Sequence, residues 1–504
     1  MRRALAIALV AAAALWPGAP AGAADSFTFY GSGWGHGLGL SQWGAYGLAQ
    51  QGWTSGQILT HFYSGTRVVK DPDPPASLRI GLAQGKSAVH LQADEGDVAL
   101  VLGDPETGQP VGTVPAGQTW TVRSAGQRYR ILDATGAPVG QDVGGPNENL
   151  YAVYAETGSI LRIPEAGHSY NRGWIEFNLY DCSPRCTMRL VLTIDPEQYL
   201  YGLGEVPSDW PKAALQTQAI AARTYAFYKA ALGQNRPGCN CALYASSLDQ
   251  VYAGYDKEAG PSGARWVAAV NATASKVVVY HGAVIEAFYT SSSGGYTENN
   301  ENVWGGAPIP YLRGVCDPGD YTPANPNAVW QVTLSAKQVT KRLDLGIGAV
   351  TGFTDTVRGV SGRIITTVVQ GQNGTATVSG GTLRSLLGLN DDRVWINANR
   401  QVTGSIRQKY DAIGCRPGLP TSAQKPVAGG ERQAFQRGTI YFKDGLGAHD
   451  LSGAVLAFYL QQGGPAGALG FPTSDVETLA NGATRATFEH GTITCSVAGE
   501  CRTS

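Results

Sequence analysis

A strand-dominated α+β fold, with one long alanine-rich helix and a small unit at the carboxy-terminal end, is the architecture the sequence predicts. Three observations point to it. Charged residues make up 15% of the 504-residue chain and there are 67 glycines; charge is below the usual share of about 25%, and so much glycine suits many tight turns. Leu78–Leu82 and Trp174–Leu179 alternate with the period of two that a strand imposes. A single stretch, Lys212–Leu232, is Ala-rich and free of Gly and Pro, with Leu215, Ala219, Ala222 and Ala226 on one stripe.

The chain opens like a secretory signal peptide, residues 1–23. Arg2 and Arg3 are a basic start, Ala4–Trp16 an apolar run too short to span a bilayer, and Ala21-Gly22-Ala23 a small-x-small cleavage site. Export predicts a secreted protein and explains eight cysteines, all beyond that signal. Short spacing suggests Cys182–Cys186 and Cys495–Cys501, which leaves Cys316–Cys415 and, across one residue, Cys239–Cys241; zinc is the rival reading for the last two. The formal charge of −1 gives no electrostatic reason to expect nucleic acid.

The length suffices for more than one core. Residues 26–66 are Gly- and aromatic-rich, Asp71–Pro75 is a stiff turn or linker, and residues 77–195 read as short strands. Pro211 suits the first turn of the long helix, with Ser208 or Asp209 placed to cap it. A second strand region, Val277–Val378, is interrupted by a helix at Ser335–Leu343, and Gly388 is placed to end a short helix, Thr382–Leu387. Residues 417–430 look like a linker before a last unit, 431–504.

Glu205 precedes a Val206-Pro207 step, which puts it on a strand-to-helix connection just before a helix start. Catalytic groups concentrate on such loops, and Trp210 is suited to stacking on a sugar ring. The plainer alternative is a surface carboxylate with a hydrophobic cover.

Four stretches carry a resemblance: Gly204-Glu205-Val206-Pro207-Ser208-Asp209-Trp210-Pro211 with the helix through Arg223-Thr224-Tyr225-Ala226; Asp249–Gly254; Ala287–Glu298 with Val303–Gly306; and Gly33–Ala45. Together they resemble the SpoIID/LytB family across most of residues 26–400, with residues 196–416 as the catalytic region. The resemblance implies a peptidoglycan lytic transglycosylase with Glu205 as its catalytic residue and Arg223 linked to activity. Such an enzyme needs one carboxyl, which protonates the glycosidic oxygen and then takes the proton of the sugar's own C6 hydroxyl, closing a 1,6-anhydro ring. Tyr289, Ser291, Ser292, Ser293 and Glu298, and Trp34, His36, Gln42 and Trp43, are the expected substrate contacts. No cofactor is expected. Some members carry a zinc-bearing Cys and His before the Gln-Val-Tyr; Ala245–Asp249 here has neither, so no metal is expected. Two other functions stay open: a murein-binding amidase enhancer without cleavage, partnered by a wall amidase, and a muramidase using Asp209, Glu176 or Glu298 as second carboxylate.

The Gly33–Ala45 motif opens this chain, whereas in the family it lies near the end of the domain. The order reads as a circular permutation, which requires the segments near Ser26 and Asn397 to be neighbours. Finally, Ala468–Asp475, with the repeated Phe435–Tyr441 and Phe488–Ile493 patterns, resembles an LGFP repeat, which implies attachment to a wall polymer.

Overall fold

The computed structural model describes residues 25–504; the expected signal peptide lies outside them. The largest core is built from two sheets and a helix. One sheet has seven strands in the order Leu243–Tyr244, Leu78–Lys86, Thr187–Ile194, Trp174–Tyr180, Leu150–Tyr154, Val98–Leu102 and Gln109–Val114, antiparallel except for the first pair. The other has five, in the order His168–Tyr170, Ile160–Ile163, Ala88–Glu95, Thr119–Ala125 and Arg128–Leu132. Leu91, Val122, Phe177 and Leu192 from these sheets share a buried cluster with Leu215 and Ala222 of the long helix.

The alternation in Trp174–Tyr180 does not produce one wet face, as its pattern predicts. Glu176 and Asn178 are buried like their apolar neighbours. Glu176 is kept there by Arg79 at 2.7 Å and by the Asn149 side-chain amide at 2.8 Å. A buried carboxylate is tolerable when it is paired and hydrogen-bonded in this way.

The alanine-rich helix spans Lys212–Leu232. It is buried on nearly every side from Thr217 to Phe227, and not along one stripe. Helices Gln42–Gln50, Ser55–Phe62 and Gly263–Asn271 and the strand Lys276–Tyr280 surround it. Small side chains let all four approach closely, the condition for a fully buried helix. Its cap position is Pro211, and neither Ser208 nor Asp209 makes a capping bond there.

The strand Ser26–Gly31 lies between Trp330–Ser335 and Val394–Ile396, antiparallel to both. Phe27 and Phe29 enter a core with Val339, Val369 and Leu383. Thr28 and Asn397 bond reciprocally, Thr28 N–H to the Asn397 side chain at 2.9 Å and Asn397 N–H to the Thr28 carbonyl at 2.7 Å. The two segments are thus neighbours, as the permuted order requires.

The helices near Ser335 and Thr382 are present as Ala336–Leu343 and Gly380–Leu387, the latter ended by Gly388 at φ 70°. The carboxy-terminal unit holds two four-stranded sheets around the helix Gly453–Gln461. The stretch expected as a linker contains an edge strand, Lys425–Val427, paired with Gly430–Phe435. Stacking of Tyr410 on Phe435 and contacts of helix Gly404–Ala412 with strands Gly438–Lys443 and Gly447–Leu451 join this unit to the body. The cysteines pair as 182–186, 239–241, 316–415 and 495–501.

The Cys316–Cys415 bridge closes a loop of sequence separation 99. A loop of that length restrains the unfolded chain by roughly 4–5 kcal/mol. The Cys316→Ser/Cys415→Ser double variant is therefore expected to melt several degrees lower in calorimetry than a Cys182→Ser/Cys186→Ser control; equal melting would contradict this.

Candidate functional site

The site begins with the loop Gly33–Gly39, where glycines alternate with Trp34, His36 and Leu38. The alternation has a steric cause. A Cβ on Gly33 would meet Asp391, one on Gly35 would meet Thr290, one on Gly37 the Arg363 guanidinium, and one on Gly39 the Phe288 carbonyl. All four also have positive φ, which glycine alone adopts freely. With that edge pressed on the scaffold, Trp34 and His36 line a groove of about 550 Å³, Trp34 being 50% exposed.

Glu205 lies in the same groove. It is not on a strand-to-helix connection. Asp195 caps a short intervening helix, Pro196–Tyr201, so Glu205 falls on a turn between two helices. That turn pairs with the segment around Tyr252: Gly204 N–H bonds the Val251 carbonyl at 2.9 Å and Ala253 N–H the Gly202 carbonyl at 2.8 Å. The pairing presents the Val251 N–H to Glu205 Oε1 at 2.6 Å, while Gln42 Nε2 reaches Oε2 at 3.4 Å. Gln250 donates to the Tyr289 hydroxyl at 3.0 Å, leaving that hydroxyl to donate to Glu205. Gln250 is itself held by the Tyr199 hydroxyl and the Ala222 carbonyl.

Burial pushes the Glu205 carboxyl above its ordinary value of 4.5, and the bonds from Val251, Tyr289 and Gln42 oppose that rise without cancelling it. Lys257 stands nearby and donates to the Val206 carbonyl at 2.6 Å; burial pushes its ammonium down to about 8. The groove's other acid, Asp249, is fully engaged by Arg236 at 2.6 Å, the Tyr244 N–H at 2.8 Å and the Tyr225 hydroxyl at 3.0 Å.

His36 is a groove-lining histidine held neutral. Its Nδ1 accepts from Leu38 N–H at 3.0 Å and its ring also bonds the Tyr289 backbone; burial, then Arg363 and Arg384, push its pKa down to about 3. Trp304, 55% exposed, packs against it at 5.0 Å. Among the described residues, the one cluster of metal-capable groups is Cys316, Asp411 and Cys415, whose thiols are joined as a disulfide.

Tyr289 and Ser291 also line the groove. Several other expected site residues do not. Arg223 is fully buried, its Nε and Nη2 bonding Glu197 at 2.8 and 2.6 Å and its Nη1 the Lys276 carbonyl at 3.2 Å; it ties the long helix to its neighbours and makes no bond to Glu205. Trp210 and Trp43 pack against each other at a tilt of 50°, ring centres 4.7 Å apart. Ser292 and Ser293 are fully buried on Asp320 and Asp317. Glu298 is buried on the Ser361 hydroxyl at 2.5 Å. Sequence reasoning did not single out Gln250, the Val251 N–H, Lys257, Trp304 or Arg384. The signal for Gln250, Val251 and Trp304 was present in the Asp249–Gly254 and Val303–Gly306 motifs.

Comparisons with known proteins cover the Glu205 and Asp249–Gly254 motifs. The family model described as "Stage II sporulation protein" (SpoIID) matches residues 185–280, and an LGFP repeat is present at residues 418–467. An "Amidase enhancer" of Bacillus subtilis (strain 168) is 38% identical over 142 residues, 28% of this chain and 17% of that protein. "Stage II sporulation protein D" of Bacillus amyloliquefaciens is 31% identical, covering 41% of this chain and 61% of the relative. The Bacillus subtilis (strain 168) protein of the same name is 30% identical over 247 residues, 46% of this chain and 68% of the relative. The match thus spans 17% of the enhancer and 61% and 68% of the two sporulation proteins.

A raised carboxyl pKa means that the folded protein holds this proton more tightly than the unfolded chain, so ionisation above 4.5 lowers stability. Glu205→Gln is expected to melt higher than the unaltered protein at about pH 7, the gap closing below about pH 4. A pH-independent difference in scanning calorimetry would contradict the burial argument. Arg223→Met leaves Glu197 without its partner and is expected to lower stability by about 3 kcal/mol; a denaturation curve unchanged from the parent would contradict the structural role.

Proposed function

The chain belongs to the SpoIID family, and from that premise we propose that it is a secreted lytic transglycosylase that cleaves the MurNAc–GlcNAc bond of peptidoglycan glycan strands in wall remodelling. The observation that carries this reading is Glu205: one carboxyl, raised by burial, in a groove whose other acid is fully occupied. A general acid working near neutral pH needs such a rise. Trp34 and Trp304 offer exposed ring faces for stacking on sugars.

The groove suits both halves of the reaction. The protonated Glu205 donates to the glycosidic oxygen as the bond breaks. The carboxylate left behind is stabilised by Val251 N–H, the Tyr289 hydroxyl and Gln42, and Lys257 adds positive charge nearby. It then accepts the C6-hydroxyl proton as the 1,6-anhydro ring closes. No water is activated, so Asp249 can stay committed to its partners. The reading is supported by the groove's lining, which includes none of Asp209, Glu176 and Glu298; the last two are buried on partners of their own. The LGFP repeat would hold the enzyme to a wall polymer. A second reading, a murein-binding enhancer of an amidase, is favoured by the name of the 38%-identical relative.

Mass spectrometry of purified glycan strands, with and without stem peptides, separates these readings. Products ending in 1,6-anhydro-MurNAc are expected, with Glu205→Gln reducing their formation by about 10²-fold or more while binding persists. Cleavage by the variant at the parental rate would overturn the role of Glu205, and binding without cleavage by the parent protein would favour the enhancer.

A further inference from the structure

A second pocket, of about 730 Å³, lies where the body meets the carboxy-terminal unit, and it shares no lining residue with the Glu205 groove. Its charged lining is of one sign: Arg358 and Arg400 come from the body and Arg437 from the carboxy-terminal unit, with no Asp or Glu among the lining residues. The chain as a whole has a formal charge of −1, so this is a local concentration.

These arginines differ from their neighbours. Arg363 and Arg407 are paired with Asp391 and Asp411. Arg358 instead donates to the carbonyls of Gly362 and Val394, at 2.6 and 2.8 Å, and lies 5.0 Å from the Trp395 ring centre. Arg437 donates from Nε and Nη2 to the Arg416 carbonyl at 3.0 and 2.6 Å. Among the described residues, the Arg400 guanidinium has no hydrogen-bond partner and none of the three has a carboxylate partner. Burial, with Arg400 and Arg393 close by, pushes Arg358 down to about 10. Two acids lie behind the lining, and Asp392 offsets only part of the charge on Arg358. Glu298 sits behind the wall on Ser361 and Asn302, and burial pushes Asp392 up to about 8.

Guanidinium groups with unused donors in a partly dry pocket favour an oxyanion. The volume exceeds what a lone ion fills. Tyr296 and Trp395 add ring surface, and Asn302, Thr421 and Gln436 add amide and hydroxyl groups, a lining suited to a sugar. We propose that this pocket binds an anionic saccharide, its phosphate or carboxylate held by Arg400 and Arg437 against Arg358. Because the pocket is built from both units, the ligand bridges them and fixes the carboxy-terminal unit on the body.

The test is calorimetric titration of the full chain with intact disulfides, using glucose 1-phosphate, glucuronic acid and neutral glucose as probes. At least one anionic sugar is expected to bind about tenfold or more tightly than glucose, more weakly at high salt. Arg400→Gln and Arg437→Gln are each expected to weaken that binding about tenfold while glycan cleavage at the Glu205 groove is unchanged. Both side chains are partly exposed or exposed, so folding is expected to survive, and an unaltered melting curve verifies it. Stronger binding of the phosphorylated probe would assign the anion as phosphate, and stronger binding of glucuronic acid as carboxylate. No binding of either anionic sugar, or binding that both variants leave intact, would overturn the proposal.

Discussion

Arg363 is the residue on which the groove depends. Its guanidinium is fully buried, bonds Asp391 at 2.8 Å, and reaches the carbonyls of Tyr296 and Ser293 at 2.9 and 3.0 Å. One side chain therefore fixes the Ser293–Tyr296 turn to the Asp391–Arg393 segment. It also fills the space beside Gly37, so the loop carrying Trp34 and His36 has to run there as bare backbone. A buried ion pair is costly unless hydrogen bonds compensate it; the Nη1 and Nη2 bonds do so while Nε is left without one, and they hold together segments far apart in sequence. The same set closes over Asp317 and Asp320, which bind Ser293 and Ser292. Ser292 and Ser293 thus anchor this segment from behind the groove, and Tyr289 and Ser291 remain in its lining.

Within that groove the chemistry of Glu205 is a compromise between two demands. Burial favours the protonated acid, while three donors favour the carboxylate. A group that must give a proton and then take one benefits from both. The donors are rigid because each is supported from behind: Val251 by the paired backbone at Gly204, Tyr289 by Gln250, and Gln42 by a helix capped at Ser41. Arg223 contributes at one remove, by fixing the helix whose Ala222 carbonyl holds Gln250.

Much of this was legible in the sequence, and the reasons it was or was not are physical. The helix Lys212–Leu232 was readable because nothing in it breaks a helix, but its all-round burial was not, since alanine is neutral to a stripe argument. The helix Ser55–Phe62 passed unread although Thr54 and Gln57 form a capping box, because the glycines around it dominate a composition reading. Glu205 was marked by its motif, yet its setting between helices follows from Asp195 and Pro196, a cap signal ten residues upstream. Ser292, Ser293, Glu298 and Arg223 look like polar site residues in one dimension. Only the fold shows that their partners are Asp320, Asp317, Ser361 and Glu197. Proximity of Ser26 and Asn397 was inferred from motif order alone, and the strand pairing beside them agrees.

The proposal that a single carboxyl breaks the glycosidic bond without water is tested most directly by digesting glycan strands in ¹⁸O-labelled water and weighing the new ends. Intramolecular attack by the C6 hydroxyl predicts anhydro ends carrying no ¹⁸O. Incorporation of ¹⁸O at C1 of a reducing end would show that water is the nucleophile, and would contradict the one-carboxyl mechanism built on Glu205.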